Sequence, residues 1–408
     1  MVYLPFQTDL FGQLILACQN HNTFMHIELP MENTSDFLSN CSLQTKAIHT
    51  GYAPEPDISQ PIHLTTTFER QDHEAPGDYT RTGNPNRRTL ERKLSMLEGG
   101  KEAIAFASGM AAINAVFEVI LKSGDHLICP DDCYHGTRAL LKNFFLTKNI
   151  QVTEVNMSSM QNIATAISAK TKLIWMESPS NPQLKITDIE AVAHLAKKHN
   201  IITACDSTFA TPLLQRPLEL GIDFVMHSST KFFSGHSDVL GGVIIAKEQS
   251  DLFNQIRLYQ NVAGAVPSPF DCWLLSRSIA TFALRVPVQN KNAMEVANFL
   301  SRHPKIEKVF YPGLPTHENH EVAKKQMKGG FGSVLSVLVK GEKTEALKFV
   351  SRLKIIRHAT SLGGVESLIE HRRSAEGAVQ VSPDNLLRIS IGIESYEDLL
   401  RDFKEALE

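Results

Sequence analysis

Between Leu90 and about Lys247 the chain repeats one pattern, in which a short apolar run is followed by a turn, a helical stretch and another short apolar run. The runs fall at Ile104–Ala107, His126–Cys129, Val152–Val155, Leu173–Met176, Ile201–Cys205, Phe224–His227 and Gly242–Ile245. Strands this apolar, separated by helices, need cover on both faces, so the pattern predicts an α/β fold with a mostly parallel sheet sandwiched by helices. That architecture restricts where a site can lie, because open α/β sheets bind ligands beyond the carboxyl ends of their strands.

Ile201–Gly242, IITACDSTFATPLLQRPLELGIDFVMHSSTKFFSGHSDVLGG, puts chemistry at such ends. One strand stops at Asp206, and the next runs through His227 into Ser228, Ser229, Thr230 and Lys231. Lys231 precedes Phe232 and Phe233, a partly apolar setting that favours the neutral, nucleophilic amine. Upstream, Ser108-Gly109-Met110 lies where a strand ends and the amphipathic run MAAINAVFEVILK begins. Free N–H groups and the positive end of the helix dipole make that junction an anion site. Tyr134, in DDCYHGT after another strand, can lie flat on an aromatic ring. Arg388 interrupts the apolar strand LLRISIG, so it either pairs with an internal acid or faces a cleft and binds an anion. A guanidinium fork matches a carboxylate.

The 408 residues divide into four expected parts: an extension over 1–44, an arm over 45–87, a large domain over 88–285 and a smaller α+β domain over 286–408. In the last, strands are expected at Lys308–Tyr311, Ser333–Val339, Ile355–Ala359 and Leu387–Ile391, and helices at Val288–Arg302, Glu342–Leu353 and Ser395–Leu407. The arm is polar, turn-rich and marked by Pro54, Pro56, Pro61 and Pro85. Within the extension, FGQLILAC has the look of a signal sequence, but no Lys or Arg precedes Lys46, so it reads as an added segment with Met25 or Met31 as the initiator. A net charge of -3 offers no basic field for nucleic acid or anionic lipid. No later apolar run is long enough to span a bilayer. Six scattered cysteines point to reduced thiols of the cytoplasm, and the spacing of Cys129 and Cys133, without matching histidines, gives no metal site.

From about Thr45 onward the chain resembles the pyridoxal-phosphate (PLP) enzymes of cysteine and methionine metabolism, which include cystathionine γ-synthases, γ-lyases and β-lyases and methionine γ-lyases. The likeness rests on DYTRTGNP, ASGMAA, DDCYHGT, ESPSNP, DSTFATP, HSSTKFFSGHSD, SLGGVESL and LLRISIGIE, in the family's order. It implies the aspartate aminotransferase-like fold (fold type I) and pyridoxal 5'-phosphate held by Lys231 through a Schiff base. It implies Asp206 at the pyridine nitrogen, Tyr134 stacked on the ring and active in proton transfer, and Ser228, Thr230, Gly109 and Met110 on the phosphate. It implies Tyr79 and Arg81, in the arm, serving the cofactor of a neighbouring subunit, as in a homotetramer built as a dimer of dimers. Arg388 and Ser361 are implied at the carboxylate of an amino-acid substrate, and Asn181 at that carboxylate or the phenolic oxygen of the cofactor. His135 and Gly136 depart from the family's Tyr-Gly-x-Thr form, which bears on the pocket wall. Thr360 replaces the Glu that γ-synthases and γ-lyases often carry before SLGG, which favours cleavage of cystathionine on the β side. A γ-lyase, a γ-synthase and a binding protein of this fold without catalysis are the alternatives; the last sits poorly with Lys231, Asp206, Tyr134 and Arg388 together.

Overall fold

The computed structural model describes residues 34–51, 57–69, 79–377 and 382–408. FGQLILAC, Met25 and Met31 lie outside the described residues. Seven strands form the larger sheet: β1 (Glu102–Phe106), β2 (His126–Pro130), β3 (Gln151–Val155), β4 (Thr171–Glu177), β5 (Ile202–Asp206), β6 (Phe224–His227) and β7 (Gly242–Ala246). Their order across the sheet is β1-β7-β6-β5-β4-β2-β3. β7 runs antiparallel to both neighbours, and the remaining pairs are parallel. The reversal has a local cause: residues 228–241, between β6 and β7, contain turns and no helix, so the chain folds back instead of crossing over. That connection carries Lys231.

The strands are apolar throughout because both faces are covered. On one face the helix Gly109–Ile120 buries Ile113, Val116 and Phe117, and the Phe117 ring meets Trp175 edge-on at 5.1 Å between centroids. On the other, Ile128, Ile174 and Met176 pack with Ile189 and Val192 of the helix Ile189–Lys198. Fully burying each such side chain contributes about 1.5–3 kcal/mol. These two layers hold the strand ends, and therefore the residues at them, in fixed relation.

A second sheet of five strands follows: β8 (Ile306–Phe310), β9 (Val334–Val339), β10 (Arg357–His358), β11 (Leu368–His371) and β12 (Leu386–Ser390), in the order β10-β11-β12-β9-β8. The strand expected at Ile355–Ala359 shrinks to the two residues of β10. β11 is not apparent from its sequence, LIEH, because Glu370 breaks the apolar run. The break is explained across the sheet, where Glu370 stands opposite Arg388 of β12 and the two form an ion pair. Leu335, Val337, Leu387, Ile389 and Phe403 form the core of this unit.

The helix expected from Val288 begins earlier and runs Phe282–Ser301, across the expected boundary at 285/286. Pro287 looks like a helix start but lies inside, where it removes one backbone donor without ending the helix. The helix Leu43–His49 crosses the expected boundary between extension and arm at 44/45. Further along, Gln60 Nε2 donates to Thr89 Oγ1 (2.7 Å), the His63 N–H donates to Asn86 Oδ1 (2.8 Å), and Trp273 Nε1 donates to the Gln60 carbonyl (2.8 Å). Among the described residues, no helix is long and apolar enough to cross a membrane.

Candidate active site

Parallel pairing brings the carboxyl ends of β4, β5 and β6 side by side, with Glu177 in register with Asp206 and Asp206 with Met226. Above these ends opens a cavity of about 850 Å³, counting its open mouth. It is lined by Gly109, Met110, Tyr134, Asn181, Asp206, Ser228, Thr230, Lys231, Ser361 and Arg388, all singled out from sequence, and also by Glu177, His135, Thr360 and Arg372. The second sheet closes one side through Arg388, Ser361 and Arg372.

Lys231 sits in the β6–β7 connection, with its N–H donating to the Ser228 carbonyl and Gly235 closing the turn onto its own carbonyl. Its Nζ donates to Ser361 Oγ at 2.9 Å. Burial, and then the positive charge of Arg388, push the amine down to about 8. Ser361 has φ +88°, a backbone state that L-residues enter at a cost of about 1–3 kcal/mol. It is held there from two sides, its hydroxyl by Lys231 and its carbonyl by Arg388 Nη2 at 3.2 Å.

Asp206 is buried and accepts from the Thr208 N–H at 2.9 Å. Burial raises its pKa. Beside it Glu177 accepts from the Tyr134 N–H at 2.9 Å and is raised well above the usual carboxylate range, first by burial and then by Asp206. Two adjacent buried carboxyls at a cavity wall call for a proton or a cation between them and the ligand. A protonated pyridine nitrogen meets that demand.

The opposite end of the cavity suits an anion. Ser108 caps the helix Gly109–Ile120 through its Oγ, which accepts from the Ala111 N–H at 3.1 Å. The first-turn N–H groups of Gly109 and Met110 have no carbonyl four residues back to bond. A Cβ at Gly109 would lie 3.0 Å from Met226 Cε and 3.2 Å from Ser228 Oγ, tighter than ordinary van der Waals contact, so glycine keeps this approach open. The Thr230 hydroxyl is bridged to Gly241, donating to its carbonyl (3.1 Å) and accepting from its N–H (3.0 Å), so a phosphate contact from Thr230 competes with that bridge. The described residues thus fit pyridoxal phosphate at both its ring nitrogen and its phosphate.

Tyr134 starts the short helix His135–Leu140, and its phenol is raised by burial and stays protonated at neutral pH. A Cβ at Gly136 would come within 2.5 Å of Tyr134 Cε1, so Gly136 clears the space that the ring occupies. Asn181 lies in the loop after β4, between cis peptides at Ser178–Pro179 and Asn181–Pro182. Asp132 supports that loop by accepting from Ser180 Oγ (2.5 Å) and the Gln183 N–H (3.0 Å). Arg388 satisfies both sequence readings: it pairs with Glu370 at 2.8 Å, donates to Asn181 Oδ1 at 3.1 Å and lines the cavity. Burial pushes its guanidinium down to about 10 despite Glu370.

Tyr79 and Arg81 are not brought into this cavity. Tyr79 is 41% exposed, and Arg81 Nη1 donates to the Asn261 carbonyl at 2.7 Å. Arg87 holds their segment in place by donating to the carbonyls of Thr80 (2.9 Å) and Arg81 (3.1 Å). Sequence reasoning missed Glu177, Asp132, Glu370 and Arg372. Glu177 was open to discovery, as a polar residue ending an apolar strand just as Asp206 does. Glu370 and Arg372 were not, because EHRR reads as a solvated charge run until the cross-strand pair with Arg388 is seen.

The model of the family described as Cys/Met metabolism PLP-dependent enzyme matches residues 44–408. A cystathionine gamma-synthase of Mycobacterium leprae is 45% identical over 376 residues, covering 90% of this chain and 96% of that protein. A cystathionine beta-lyase of Coxiella burnetii is 41% identical over 382 residues, covering 90% of this chain and 97% of its own. The crystal structure of metB from Corynebacterium glutamicum superposes with a TM-score of 0.88 at 42% identity, covering 91% of this chain and 98% of that one. The likeness extends along the chain from residue 44 to residue 408, and the chain belongs to the Cys/Met metabolism PLP-dependent enzyme family.

Proposed function

We propose that this protein is a PLP-dependent carbon–sulfur lyase of trans-sulfuration that cleaves L-cystathionine by elimination on the β side of sulfur. The observation that carries the reading is the Lys231 amine, pushed down to about 8 and linked through Ser361 to Arg388 in one cavity. Lys231 would anchor the cofactor covalently, Asp206 would hold its ring nitrogen protonated, and Ser228, Gly109, Met110 and Thr230 would take its phosphate. When bound, the cofactor supplies an electron sink for charge developing at the substrate Cα.

This chain's own residues do the rest. Arg388 presents a fork to the substrate α-carboxylate, and Asn181 orients it by accepting from Nη1. Ser361 positions Lys231, whose amine, freed when the substrate amine takes its place on the cofactor, would take the proton from Cα. With that proton removed, the Cβ–S bond breaks, and the phenol of Tyr134 delivers a proton to the departing sulfur. The products after hydrolysis are homocysteine, pyruvate and ammonia. Thr360 places no carboxylate at its position, and its side chain is hydrogen-bonded to Glu370 instead. Tyr79 and Arg81 would complete the cofactor site of a neighbouring subunit in a cytoplasmic homotetramer.

The likeness to a gamma-synthase supports a second reading, replacement at Cγ of an activated homoserine. Product analysis of the purified enzyme separates the two. Pyruvate and homocysteine from L-cystathionine are expected; 2-oxobutyrate and cysteine would mean γ-cleavage, and turnover only with an activated homoserine plus cysteine would mean synthase.

A further inference from the structure

The mechanism uses one arginine, yet two line the cavity. Arg372 opens the short helix after β11 and is 1% exposed. Its Nη1 donates to Glu370 Oε2, the same oxygen that Arg388 Nη2 reaches. One carboxylate therefore serves two guanidiniums. Arg372 Nη2 lies 4.0 Å from Glu376 Oε1, but that carboxylate is engaged by the N–H (3.0 Å) and the hydroxyl of Ser382. The Nε of Arg372 is buried without a hydrogen-bond partner. The guanidinium charge is thus met by Glu370, and a buried N–H without a partner still costs stability.

His135 adds a second donor to the same wall. Its Nδ1 stands 3.4 Å from Arg372 Nη2 and accepts from it, which puts the ring proton on Nε2. Burial, followed by Arg372, keeps this imidazole neutral by lowering its pKa. With Arg388 assigned to the α-carboxylate, Arg372 is a second guanidinium lining the same cavity.

We propose that Arg372, assisted by His135, forms a second anion subsite that binds a carboxylate at the far end of the substrate side chain, so that the cavity selects amino acids with two carboxylates. The proposal rests on the amino-acid reading above and deepens it: cystathionine carries a second carboxylate beyond sulfur, and methionine and cysteine do not. It also assigns His135, a departure from the family form, to recognition of the distal end.

The test compares two six-carbon amino acids without a leaving group, L-2-aminoadipate and L-norleucine, titrated into the holoenzyme and followed by calorimetry and by the absorbance of the bound cofactor. A charge-assisted contact predicts that aminoadipate binds about tenfold or more tighter. In Arg372→Met the preference should fall to near one, with norleucine affinity within about threefold of wild type. If Arg372→Met does not fold, Arg372→Lys replaces it, with a preference at least about threefold lower because a point charge does not reproduce the fork. Equal affinities in the wild type, or a preference that survives both substitutions, would overturn the subsite. An equal loss for both ligands would also overturn it, by placing Arg372 on the α-carboxylate. Failure of the wild type to bind norleucine at all would remove the amino-acid reading itself, and the subsite with it.

Discussion

Lys231 shows how much one side chain's surroundings decide. A lysine amine shifted from 10.5 to about 8 is neutral on the order of a few hundredfold more often near pH 7. Condensation with an aldehyde needs the neutral amine, and a lowered pKa means that form is reached as pH rises through about 8. The rate of pyridoxal phosphate incorporation into apoprotein should therefore climb with pH and level off above about 8. A profile still rising towards 10.5 would mean that burial and Arg388 do not act on this amine. At this scale much of the site was legible: Lys231, Asp206 and Gly109 stand where apolar strands stop, and such ends are where polar residues do chemistry. Arg372 was hidden, because its meaning depends on Glu370, which no local pattern connects to it.

Elements, more than single residues, aim the site. Strand and helix positions in the larger sheet could be read from periodicity because burial on both faces leaves a continuous apolar signature. The direction of β7 could not, since nothing in its own composition reports that residues 228–241 turn back without a helix. β11 was lost for a related reason, a buried ion pair written as charge in both strands. Loop-to-loop support was equally invisible: Asp132 holds Ser180 and Gln183, flanking Asn181, from a motif 48 residues upstream of Ser180. Asp132→Ala should cost about 1–3 kcal/mol in urea unfolding by leaving those donors unpaired. It should also weaken binding of norleucine to the holoenzyme, since Asn181 steadies Arg388. Wild-type stability and affinity in that variant would show that the loop holds itself.

At the scale of the whole molecule, the arm raises the question of completeness. Tyr79 and Arg81 lie outside their own chain's cavity, with Tyr79 partly exposed. If they serve a neighbour, Arg81→Ala and Arg388→Ala proteins, each inactive, should regain part of their activity when mixed and allowed to exchange subunits. A hybrid dimer then holds one site with both lesions and one with neither. Absence of recovery after demonstrated exchange would place Arg81 in its own subunit's function.

Every step of the proposed chemistry depends on a covalent cofactor link at one lysine. Borohydride reduction of the purified protein, followed by digestion and mass mapping of the peptides, tests it most directly. A phosphopyridoxyl group on Lys231, and its absence from the Lys231→Ala protein, is the predicted result. The same group on another lysine, or none on a protein that still turns over L-cystathionine, would contradict it.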